Sequence, residues 1–148
     1  MAEPTLTHYQ GDALAGPGMF WVNSRLKPDP NAPSLTTDQF TQWYEAIHIP
    51  DIFAAKPGGI TAAWRYQCLD PSRPSPFLAV YKVPDMGFLQ TPEFESIPVA
   101  HGTLPGGGPI YALADFDARF LSHVETWKSS KHGTGNNCKC SIAHVEYG

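Results

Sequence analysis

The chain has 148 residues, 42% of them hydrophobic and 16% charged, which suits a single globular domain with a real core. A net charge of −4 with scattered Lys and Arg argues against a nucleic-acid partner, and no apolar run approaches the roughly 18 residues of a membrane span. Residues 1–18 lack the basic and apolar regions of a secretory leader and read as an N-terminal arm. Cys68, Cys138 and Cys140 are odd in number, and the last two stand too close to bridge without strain, which fits a reducing, cytoplasmic setting. Cys138 and Cys140 with His132 or His144 lack the second ligand pair of a structural zinc site, so no metal is expected.

Residues 19–23, apolar and aromatic, form the first expected strand. A loop follows, and then Thr36-Thr37-Asp38-Gln39 fits a capping box, with Leu35 and Phe40 placed as a hydrophobic staple. The helix this opens is expected over 37–49: Phe40, Trp43, Tyr44 and Ile47 fall at i, i+3, i+4 and i+7, and Pro50 limits it. His48 lies on the border of that apolar face. Residues 61–69 and 77–83 alternate as strands joined by a Pro-rich hairpin loop at 70–76. Asp85 caps a short helical segment through Leu89, and Thr91-Pro92-Glu93 opens another. Residues 101–109 are a loop by turn chemistry. Residues 115–127 give a long strand, with Phe116, Ala118, Phe120, Ser122 and Val124 set against Asp117, Arg119, Leu121 and His123. A last strand is expected over 138–147.

The order is β-α-β-β-α-β plus one C-terminal strand, an α+β class chain in the ferredoxin-like split arrangement. The expected domain spans 19–127, followed by an extension over 128–148. A single sheet with helices on one face leaves the other bare, and a homodimer would cover it.

Phe40-x-x-Trp43-Tyr44-Glu45-x-x-His48-x-Pro50-Asp51 resembles the first-helix signature of EthD-like proteins of the dimeric α+β barrel superfamily. Segments 61–66 and 77–84, Phe88-Leu89 followed by Phe94, and Asp115-Phe116-Asp117-x-Arg119-Phe120 are similar in order. Together they cover roughly residues 18 to 125, and the His-Ile-Pro-Asp motif with its later Gly-Gly-Gly-Pro loop is similar to fungal members. The resemblance implies a dimeric α+β barrel with a pocket between sheet and helices that the residue matching His48 faces.

Such a pocket would be aromatic with a few polar groups. Trp21, Trp43, Tyr44, Trp64, Tyr66, Phe77, Tyr81 and Phe88 are candidates for its lining, and Asn23, Arg65 and Arg119 for polar contacts to substrate. His48 is the expected general base or acid, because its ordinary pKa lies near neutrality. Asp51 would orient it, with Glu45 as an alternative on the solvated face. Tyr66 or Tyr81 would polarise a carbonyl or hold an enolate. No nucleophile motif is present, and Gly106-Gly107-Gly108-Pro109 lacks the flanks of a phosphate or dinucleotide loop. The expectation is a cofactor-independent cyclase, isomerase or lyase, such as a dehydratase or decarboxylase, acting on an aromatic or polyketide-like molecule. The alternatives are a dimeric binding or stress protein and, third, a haem-binding or monooxygenase member of the same superfamily.

Overall fold

A computed structural model describes residues 9, 11–28 and 34–130. Four strands form one antiparallel sheet: β1 (Gly18–Leu26), β2 (Ala62–Gln67), β3 (Phe77–Val83) and β4 (Ala114–Ser122), in the order β2-β3-β1-β4. β1 pairs with both β3 and β4, so Phe20 stands between Tyr81 and Phe120, and Val22 between Ala79 and Ala118. Alternation along each strand sends these residues to one face, where they meet the helix. Phe20 stacks on Tyr81 at 5.7 Å and lies 5.1 Å from Phe120.

That helix begins as expected. Thr36 accepts from the Gln39 amide at 3.1 Å while its own amide donates to Gln39 Oε1 at 2.9 Å, completing the capping box. α1 (Thr37–Trp43) then passes into a π-helical turn (Tyr44–His48) and on into α2 (Ile49–Ala55). The helix therefore runs through Pro50 instead of ending there. The Ile49 amide donates to Tyr44 five residues back, and this wider turn gives the proline ring room beside a carbonyl it would otherwise meet. Phe40, Trp43, Tyr44 and Ile52 are the buried residues of this element.

Between β3 and β4 the expected second helix shrinks to α3 (Pro92–Glu95), flanked by 3₁₀ turns at Met86–Gln90, Pro105–Gly107 and Ile110–Ala112. Pro92, Pro98, Pro105 and Pro109 interrupt any longer run of backbone bonds. Gly106, Gly107 and Gly108 all take positive φ (68°, 81° and 85°), a conformation the missing Cβ makes inexpensive. Their role is to turn the chain back toward the core, where Leu104, Ile110 and Leu113 are buried. The end of the arm is pinned to this crossover: the Leu14 amide donates to Gln90 Oε1 and the Met86 amide to the Gly16 carbonyl, each at 2.7 Å.

The α+β class stands, but the dimeric α+β barrel does not. Among the described residues the sheet is open, ending at β2 on one side and β4 on the other, and no pairing closes it. β4 also stops at Ser122, short of the expected 127, leaving Val124 and Trp127 exposed beyond it. The expected strand at 138–147 lies outside the described residues, as do His132, Cys138, Cys140 and His144.

Candidate functional site

The π turn decides where His48 points. At α-helical spacing it would sit on the border of the apolar face. A π turn carries more residues per turn, so side chains after it are rotated back toward that face. His48 accordingly stacks on Trp43 at 4.3 Å and 13°, and meets the edge of Tyr44 at 5.6 Å and 76°. The residue as a whole is half-buried, yet its Nδ1 atom is shut from solvent and has no hydrogen-bond partner.

Burial pushes the imidazole down to about 4 by penalising its charged form, with a contact from the Pro98 carbonyl opposing the shift. A carbonyl accepts only from an N–H. In the tautomer that carries its proton on Nε2, the unpartnered Nδ1 presents a bare lone pair.

His48 lines a cavity of about 30 Å³ between the helix, the sheet and the loop over residues 99–111. Trp43, Tyr44 and Tyr81 share its wall, with Tyr111 closing it from the loop. The Ile110 amide bonds the Val99 carbonyl at 2.8 Å, and Lys27 Nζ donates to the Tyr111 carbonyl at 2.7 Å, so the loop wall is held at two points. Burial raises the phenol of Tyr44, with Arg65 opposing and Tyr111 adding to it. Burial also holds Tyr81 well above its ordinary value, with Tyr44 adding and Arg65 opposing. Both phenols are therefore neutral donors at physiological pH.

A space of 30 Å³ holds one or two waters. Drug-sized ligands occupy pockets of about 300–1,000 Å³, so a substrate enters only if the loop wall moves.

The expected site residues do not come together, and the sheet separates most of them between its two faces. Trp43, Tyr44, His48 and Tyr81 meet at the cavity. Asn23, Tyr66 and Arg119 instead line a shallow groove of about 550 Å³ on the helix-free face, together with Arg73, Leu78 and Asp117. There Arg119 is paired to Asp117 at 3.0 Å. Trp21 and Trp64 share that face, one on each side of Val80. Strand alternation makes the split unavoidable, because Tyr66 pairs with Leu78 while Tyr81 pairs with Ala63 on the opposite face.

Arg65 lies on the helix side, but its guanidinium sits over the Tyr44 ring at 4.5 Å and near Phe40 at 5.8 Å. Phe88 is buried beneath Gly59, where an added Cβ would stand 3.0 Å from its ring. Asp51 is half-buried in the first turn of α2 and does not partner Nδ1 of His48. Val99, Ile110 and Tyr111 were invisible as site residues, because an irregular loop leaves no periodic signal. Phe20 and Phe116 were legible only as strand positions. Among the described residues no cluster of His, Cys, Asp and Glu is placed to hold a metal ion, and no helix is long and apolar enough to cross a membrane.

No protein-family model, curated protein or solved structure matches this chain. The EthD-like assignment is corrected accordingly: the first-helix motif is present, but neither a matching family model nor a closed barrel accompanies it. Its Trp, Tyr and His positions are explained by packing around one helix face, which any helix on a sheet can require.

Proposed function

We propose that the chain binds a small aromatic, enolisable molecule in the cavity beside His48 and removes a proton from it without a cofactor. One observation carries this: His48, whose Nδ1 is buried with no partner, lines an apolar cavity shared with two neutral phenols. In this scheme Nδ1 takes a proton α to a carbonyl while Tyr44 or Tyr81 donates to the oxygen that becomes an enolate. Asp51 has no part in it. His48 serves as base and not as acid at neutral pH, because burial keeps it unprotonated. Its weak basicity is offset only if imidazolium and enolate form side by side in the same low-dielectric space.

The test is hydrogen exchange into 4-hydroxyacetophenone in D₂O, followed by loss of the methyl signal in the proton spectrum. Exchange should exceed the buffer rate, and His48→Asn should lower it by roughly 10²–10⁴-fold. Equal exchange in both proteins would exclude His48 as the base.

A second reading is favoured by the imidazole's position near 4: a ring this hard to protonate suits a carrier that only accepts a hydrogen bond. Binding without exchange above buffer would select the carrier.

We also propose that a second copy of the chain covers the helix-free face. In support, Tyr66 and Leu121 remain 48% and 40% exposed there, beside the half-buried Trp21 and Trp64.

A further inference from the structure

The polar atoms of the cavity define which ligand it takes, provided that the pocket beside His48 is the binding site. We propose that its ligand is a neutral, hydroxyl-bearing aromatic ring, with the hydroxyl donating to His48 Nδ1. His48 lines the cavity and its Nδ1 is buried without a partner, so an occupant admitted by movement of the loop wall satisfies it by donating a hydrogen bond, and one that cannot donate leaves it orphaned. The residues around His48 in the wall are aromatic or aliphatic, from Phe20, Val22 and Trp43 on to Phe116. A flat apolar body with a single donor is therefore the complementary shape.

A carboxylate is disfavoured on two counts. It has no proton to give Nδ1, and its charge would be buried without a cation free to meet it. Arg65 does not supply that cation, because its guanidinium lies over the Tyr44 ring, outside the cavity lining. A methyl ether matches the apolar shape but lacks the donor. Selection for hydroxyl over methoxy follows from one atom.

Phenol, anisole and benzoate, titrated into the protein, test this through the Trp43 indole N–H and the His48 ring in heteronuclear NMR. Phenol should bind about tenfold more tightly than anisole, the effect of one buried hydrogen bond, with benzoate weaker still. His48→Leu should erase the preference for phenol over anisole. His48→Asn restores an acceptor near the Nδ1 position, so it should keep the preference, which guards against a variant that merely disturbs the fold.

Equal binding of phenol and anisole would overturn the ligand class while leaving the pocket in place. A preference that survives His48→Leu would also overturn it. Failure of all three compounds to shift Trp43 would remove the pocket itself, and the ligand class with it.

Discussion

At the scale of single residues, His48 is the position where stability and function pull apart. Its imidazole titrates near 4 in the folded chain against an ordinary 6.5, so the unfolded chain holds more protons between those values. Stability is therefore complete above pH 6.5 and falls as the pH drops toward 4. The loss is on the order of 1–3 kcal/mol, held below the full shift because the residue is only half-buried. Urea titrations at pH 7 and pH 4.5 should show it, and His48→Leu should abolish the His48 share of the difference. The same variant should be as stable as the parent or more so at pH 7, because it removes an unsatisfied buried nitrogen. A large destabilisation by His48→Leu at neutral pH would mean that Nδ1 is satisfied in solution.

At the scale of elements, the helix was the most legible part of the chain and the π turn the least. Thr36 and Gln39 marked the start of the helix correctly because capping is a local exchange of hydrogen bonds. Thr36→Ala should cost about 1 kcal/mol in chemical denaturation. Phe40, fully buried against Trp43, Tyr44 and Phe77, should cost about 3–5 kcal/mol as Phe40→Ala. The π turn left no such local mark. Pro50 looked like a stop because the rule for proline assumes α spacing, and the wider turn beside it lifts that restriction. His48 was thus singled out for the right surroundings but placed on the edge of the face instead of inside it. Gly59 was equally silent: its value lies in the ring of Phe88, 29 residues away in sequence, against which it packs. Gly59→Ala must displace that buried ring and should cost about 1–3 kcal/mol.

At the scale of the whole molecule, strand order and alternation divide what sequence had grouped into one pocket. Pairing of β2 with β3 sends Tyr66 and Tyr81 to opposite faces, so Tyr66, Asn23 and Arg119 belong to a groove and not to the His48 cavity. Alternation along each strand was legible, but the register that decides which positions share a face was not. The helix-free face carries the oligomer prediction. Sedimentation should find a dimer at micromolar concentration, and Leu121→Arg should yield a folded monomer; a monomeric parent would contradict the proposed contact.

The cavity, the loop wall over it and the neutral phenols all converge on the state of one ring. A nitrogen-15 titration of the histidine side chains from pH 7.5 to pH 3.5 tests that state most directly. His48 should show the Nε2–H form throughout the neutral range and begin to protonate only near pH 4. A His48 that protonates near its ordinary 6.5, or carries its proton on Nδ1, would contradict the buried acceptor on which the proposed chemistry rests.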